Sequence, residues 1–180
     1  MPKIIGLVGP MASGKGTVAK YLAEKYHGRV FGFSTPLRDI LTRLHMDHTR
    51  ENMANLSTIL RQQFGQDLIS RVIVADITEA KEEFLILDGI RRLSDIDAAK
   101  TMPGFVLWAV QADSQTRYQR LVRRQQNAGD QQKTYEQFLN DEQSEADKTI
   151  AAVAAQSRII IDNNGDLEKL YKKIDELMTN

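Results

Sequence analysis

The sequence predicts an α/β fold, a doubly wound five-stranded parallel sheet with helices on both faces. Three observations predict it. Short apolar runs alternate with amphipathic stretches, the pattern of strands separated by crossover helices. A glycine-rich segment joins the first apolar run to the first amphipathic stretch, where such sheets carry their ligand loops. The 180 residues hold no internal repeat and suit one domain, 1–180, better than two.

Taken in order, the first strand is expected over 4–8 and a helix over 18–26, with Val18, Leu22, Ala23 and Tyr26 on one face. His27-Gly28 ends that helix, glycine being favoured just past a C-terminus. Residues 30–33 form the second strand, and Pro36 suits the start of a helix over 37–44. Two more helices read over 52–64 and 67–81. Residues 84–87 are a buried strand ending on Asp88-Gly89, and 94–100 a short helix. The fourth strand, 105–110, places Trp108 in the core. A basic helix over 114–126 leads into a polar loop, 127–134, and 135–155 is mostly helical. The last strand is 158–162, Asn163-Asn164-Gly165 is a turn, and 167–178 is the closing helix.

Composition narrows the function classes. Hydrophobic residues are 42% and charged residues 27%, enough to bury a core and stay soluble. The formal net charge is zero, which argues against a dedicated nucleic-acid binder. Cysteine is absent. That excludes disulfides, zinc-thiolate sites and cysteine nucleophiles, and fits a reducing compartment. The first apolar run is too short for a signal peptide, and no run approaches the roughly 20 apolar residues that span a bilayer. The expectation is a cytoplasmic protein with no membrane partner.

The segment Gly9-Pro10-Met11-Ala12-Ser13-Gly14-Lys15 has two glycines five apart followed by lysine, between a strand and a helix. This is the phosphate-loop spacing in its required context. Glycines let the backbone fold into a nest of N–H donors, and the helix N-terminus adds positive potential. Lys15 supplies a point charge for β and γ phosphates. Gly16 stands where a magnesium-binding hydroxyl usually follows the lysine, and Thr17 comes one later. Gly9, Ala12, Ser13, Gly14, Lys15, Gly16 and Thr17 are thus the candidate nucleotide-binding residues.

Gly14-Lys15-Gly16-Thr17 resembles the loop of adenylate kinases and related nucleoside monophosphate kinases, while downstream features are similar to dephospho-CoA kinase and dephospho-CoA-kinase-like P-loop proteins. The resemblance implies a P-loop NTPase fold with a helical lid, at about 114–140, and acceptor-binding helices, at about 34–80. It implies ATP and Mg2+ as cofactors. The run Asp88-Gly89-Ile90-Arg91-Arg92 is similar to an Asp-Gly-x-x-Arg or an Asp-Gly-Ile-Arg motif, which put the key arginine at Arg92 and Arg91 respectively. Asp88, at the end of a central strand, is a candidate to hold magnesium directly or through its water shell, with Thr17 as a second candidate.

Arg117, Arg120 and Arg124 fall on one helix face at three- and four-residue spacing. In nucleotide kinases a basic lid of this kind closes over ATP; Arg120 and Arg124 join Lys15 and Asp88 as catalytic candidates. In an open enzyme both would face water. On the acceptor side, Ser34, Arg38, Arg61, Arg71, Arg91 and Arg92 are candidates, with Asp39 placed to orient an acceptor hydroxyl. Asn163, Asn164 and Gly165 resemble the strand-loop that borders adenine in dephospho-CoA kinases; a turn with a helix cap explains the same residues. His45 and His48 read as surface residues.

The leading expectation is an ATP-dependent kinase acting on a small nucleotide acceptor, a nucleoside or deoxynucleoside monophosphate. Alternatives are dephospho-CoA-kinase-type transfer to a ribose hydroxyl and a regulatory or nucleic-acid-linked P-loop ATPase. The sequence leaves the oligomeric state open.

Overall fold

The structure, a computed structural model, describes residues 3–124, 130–142 and 145–179; at 50, 124 and 145–148 it describes the backbone alone. Five strands, β1 (Lys3–Val8), β2 (Arg29–Gly32), β3 (Phe84–Ile90), β4 (Phe105–Gln111) and β5 (Ile159–Asp162), form one sheet. Their order is β2-β3-β1-β4-β5, and every neighbouring pair is parallel. The helices among the described residues are α1 (Lys15–Tyr26), α2 (Thr35–Arg43), α3 (Arg50–Phe64), α4 (Leu68–Glu79), α5 (Leu93–Asp97), α6 (Ser114–Arg124), α7 (Tyr135–Glu142), α8 (Glu145–Ala154) and α9 (Leu167–Thr179).

Strand side chains alternate between faces, so the central strands β3, β1 and β4 each feed two cores. Ile4, Val8, Phe31, Leu85, Leu87, Leu107 and Ala109 pack with Ile69, Ile73 and Ile77 of α4 and Ile150 and Val153 of α8. Ile5, Leu7, Ile86, Trp108, Val110 and Ile161 pack with Val18, Ala19 and Leu22 of α1 and Leu170 and Ile174 of α9. Trp108 is core, as expected. The near-continuous apolar strands follow from a sheet covered on both sides.

Some boundaries differ from the expectation. The residue in the left-handed region that ends α1 is His27, φ 55°, not Gly28. Gly28 answers a different need: a Cβ there would lie 2.6 Å from Cδ1 of Phe84. β3 runs on through Asp88 to Ile90, because Asp88 pairs with Gly32 of β2. The expected helix at 94–100 is α5 followed by a 3-10 turn, Ala99–Thr101. Within 135–155 the described residues form α7 and α8. The predicted end of the basic helix at 125–126 and the loop residues 127–129 lie outside the described residues.

No helix among the described residues is long and apolar enough to cross a membrane. His48 Nε2 sits 2.8 Å from Thr42 Oγ1 on the surface. Among the described residues no three His, Asp or Glu gather as a metal cluster.

Candidate nucleotide site

The order β2-β3-β1-β4-β5 makes β1 the switch point of the sheet, and the loop at its carboxyl end opens into the crevice where such sheets bind ligands. Gly14, φ 104°, is the N-cap of α1, in a conformation L side chains rarely adopt. A Cβ on Gly9 would lie 2.1 Å from the carbonyl oxygen of Val110, so only glycine fits against β4. Ala12 has φ 59°, a costly left-handed conformation for a residue with a side chain.

The loop's carbonyls are held from outside. Lys15 Nζ donates to the oxygens of Gly9, at 2.7 Å, and Pro10, at 2.9 Å. Arg117 Nη1 donates to Met11 O at 3.3 Å, and Asn163 Nδ2 to Ser13 O at 2.8 Å. Carbonyls anchored this way leave the concave side of the loop to N–H groups. α1 begins without a side-chain cap, and its first N–H groups have no partner within the helix. This geometry can receive an anion. Gly16 is exposed with open space around its Cα, and Thr17 is half-buried one position on.

Register places Asp88 beside the end of β1, since Gly6 pairs with Leu87 and Val8 with Ile90. Its backbone oxygen accepts from Phe33 N at 2.9 Å. Its Oδ1 is buried with no hydrogen-bond partner, as are Ser13 Oγ and Arg120 Nη1. Buried polar atoms are seldom left so.

The basic helix divides. Arg117, expected to share a phosphate-facing side with Arg120 and Arg124, is 7% exposed and bound to protein groups. Besides Met11 O, it donates to Ala112 O and to both carboxylate oxygens of Glu142, and its guanidinium lies over the Phe138 ring. It therefore ties the phosphate loop to α7. Ala12 joins Leu121 of α6 and Phe138 of α7 in a small third core, with Met11, Tyr118, Tyr135 and Leu139 around it. Arg120 is half-buried and does not stand out in water: its Nη2 reaches Gly165 O at 3.3 Å. The side chain of Arg124 lies outside the described residues.

At the end of β5, Asn163 is 5% exposed, and its amide donates to the phosphate loop. Asn164 is exposed; its Oδ1 accepts from Asp113 N at 2.8 Å. Gly165 is exposed beside Arg120.

On the acceptor side, Arg61 is not a surface residue. It is 6% exposed and pairs with the buried Asp95 at 2.6 Å, while also donating to Gln66 O and Ser57 Oγ. Asp95 Oδ2 accepts from the backbone N–H groups of Arg91, at 3.1 Å, and Arg92, at 3.0 Å. Arg61 thus fixes the backbone from which Arg91 and Arg92 project, and its guanidinium is fully engaged inside the protein. Arg91 is exposed; Arg92 is half-buried and points toward Gln66, at 3.4 Å. Arg71 is exposed, on Phe64 O at 2.9 Å and near Asp67. Arg38 is exposed and Ser34 half-buried at the start of α2. Asp95, Glu142 and the anchoring role of Asn163 were missed from sequence. Asp95 had a signal, a carboxylate three residues after Arg92 at a helix start; Glu142 had none.

A family model described as an AAA domain matches residues 8–139, from the end of β1 into α7. The chain belongs to this AAA domain family. It is 28% identical to a UPF0200 protein of Methanococcus maripaludis, covering 96% of this chain and 97% of the relative. To a UPF0200 protein of Methanothermobacter thermautotrophicus it is 27% identical, over 97% of this chain and 88% of that one. Among solved structures, shikimate kinase from Bacteroides thetaiotaomicron matches with a TM-score of 0.65 and 18% identity, over 99% of both chains. TT1252 from Thermus thermophilus matches with a TM-score of 0.63 and 18% identity, over 99% of this chain and 97% of that one. The fold of the family member described here is therefore that of P-loop kinase-like proteins.

Proposed function

We propose that the protein transfers the γ-phosphoryl group of Mg-ATP to a nucleoside or deoxynucleoside monophosphate, in one P-loop domain resembling the adenylate kinase and dephospho-CoA kinase group. In this reading residues 34–80 bind the acceptor and 114–140 form a lid. The observation that carries it is the trio of buried, unpartnered polar atoms Ser13 Oγ, Asp88 Oδ1 and Arg120 Nη1. They come from the phosphate loop, the adjoining strand β3 and the lid helix. A buried group without a partner costs about 1–3 kcal/mol, a cost that rearrangement of these groups onto a bound magnesium nucleotide would relieve.

Phosphoryl transfer asks the protein for positioning and charge compensation. The N–H groups at the start of α1 bind phosphate oxygens, and Lys15, already on the loop, moves its charge to the bridging β,γ region. Asp88 would hold magnesium directly or through its water shell, with Gly16 exposed where a hydroxyl ligand usually stands. When bound, magnesium supplies neutralisation of charge on the phosphates. Arg120 adds a guanidinium over the nucleotide and links it to the Gly165 loop.

A monophosphate acceptor also fits what α2 offers. A phosphate oxygen attacks without losing a proton, whereas a ribose hydroxyl needs a base in reach. Asp39, the carboxylate of α2, lines a separate cleft on the edge strand with Arg29, Asp76 and Glu79.

The test is a thermal-shift screen of nucleoside monophosphates and dephospho-CoA with a non-hydrolysable ATP analogue present. A further rise with a monophosphate supports the reading; a rise with dephospho-CoA alone overturns it. Asp88→Asn keeps the shape and loses the charge. It raises the magnesium concentration needed for half-maximal activity, and an unchanged magnesium titration would make Asp88 structural only.

A further inference from the structure

We propose that Asn163 is a positioning residue of the phosphate loop, acting through the carbonyl of Ser13, and not a reader of the nucleotide base. The inference rests on the proposed nucleotide site. Asn163 sits at the carboxyl end of β5, 150 residues from the loop in sequence, and is 5% exposed. Its backbone N–H donates to Gln111 O at 2.8 Å, continuing the β4–β5 ladder and locking the residue to the sheet. Its amide then has one place to go. The neighbouring group is a carbonyl oxygen, Ser13 O, at 2.8 Å, so the atom facing it must be the N–H donor Nδ2.

The loop is shaped to receive that amide. A Cβ on Gly14 would lie 2.1 Å from Asn163 Nδ2. Gly14 therefore serves twice: its φ of 104° makes the turn, and its missing side chain makes the seat. With the Ser13 carbonyl drawn toward the sheet, the peptide N–H groups that follow face the phosphate cradle. Without the amide, the carbonyl can rotate inward and set a negative dipole against the phosphates. The next residues of the same turn, Asn164 and Gly165, hold Asp113 and Arg120. One rigid strand end thus supports the phosphate loop on one side and α6 on the other.

Removing this contact weakens everything that carries phosphates and leaves the choice of base untouched. The experiment is calorimetric titration of inorganic triphosphate, ATP and GTP, each with magnesium, into wild type, Asn163→Ala and Asn163→Asp. Melting temperatures establish that each variant is folded. Asn163→Asp keeps the side-chain volume and turns a carboxylate onto the Ser13 carbonyl, so it carries the comparison if the alanine variant fails to fold. The expected result is a parallel loss of at least tenfold for all three ligands, with the ATP-to-GTP ratio unchanged. Wild-type affinity for triphosphate in either folded variant overturns the inference. A selective loss of ATP with triphosphate retained returns Asn163 to base recognition. Failure of wild type to bind ATP or triphosphate at all overturns the proposed nucleotide site instead.

Discussion

On the phosphate side, the carbonyls of Gly9, Pro10, Met11 and Ser13 each accept a hydrogen bond from a side chain. Two of those side chains, Arg117 and Asn163, are themselves buried. On the acceptor side, Arg38, Arg71 and Arg91 lie exposed, and the buried cation, Arg61, is committed to Asp95. The phosphate loop is therefore shaped before ligand arrives, while the side chains proposed to meet the acceptor, Arg38, Arg71 and Arg91, lie on the surface. A preorganised site acts on the transition state, and in the proposed reading the exposed arginines act on acceptor affinity.

The largest expected effect is on the preorganised side. Lys15→Ala lowers ATP turnover by about a thousandfold, ~4 kcal/mol of transition-state stabilisation, with circular dichroism unchanged. Turnover within threefold of wild type would break the distinction at once. Next comes a contrast between two arginines of the acceptor side. Arg61→Ala leaves a buried carboxylate unpaired and costs about 3–5 kcal/mol of stability. Arg71→Ala, at an exposed ion pair, costs about 0–1 kcal/mol. Urea midpoints measure both, and equal shifts would mean that Arg61 is no structural strut.

Arg120→Ala sharpens the comparison from the lid. The expected loss in kcat is about ten- to a hundredfold, roughly 1.4–2.7 kcal/mol, with little change in melting temperature. A large loss of melting temperature with normal kcat would make α6 scaffold alone.

The smallest effect lies away from both sides. Asp175 of α9 accepts from Lys25 at 2.7 Å, and from Tyr26 and Tyr21 of α1. The Lys25 ammonium, then the Tyr26 hydroxyl, hold its carboxyl below the usual carboxylate range. A depressed folded pKa contributes stability that is present above the unfolded value, about 3.9, and lost as pH falls through the folded value. The melting-temperature gap between wild type and Asp175→Asn should hold at neutral pH and shrink below about pH 4. A gap constant down to pH 2.5 would refute the assignment.

The fold was largely legible because its signals are local. Strands buried on both faces read as apolar runs such as Phe84-Leu85-Ile86-Leu87, and the loop motif declared itself by spacing. The residues whose partners the sequence did not reveal share one cause. Arg61, Arg117 and Asn163 are polar groups whose roles depend on partners 34, 25 and 150 positions away, Asp95, Glu142 and Ser13. Helical spacing put Arg117 beside Arg120, but spacing does not tell which turn of a helix is covered by α7. A polar residue near a motif was read as reaching for ligand; the guanidiniums of Arg61 and Arg117 are bound to protein groups instead, and the Asn163 amide is bound to the Ser13 carbonyl.

The central claim, phosphoryl transfer to a nucleotide acceptor, is tested most directly by ADP formation from Mg-ATP. Wild type is assayed alone and with each common nucleoside and deoxynucleoside monophosphate, beside Lys15→Ala. The account predicts that at least one monophosphate raises ADP formation by about a hundredfold or more over ATP alone, ~2.7 kcal/mol, and that the variant abolishes the rise. ATP hydrolysis at a steady rate that no monophosphate accelerates would contradict it and make the protein an ATPase.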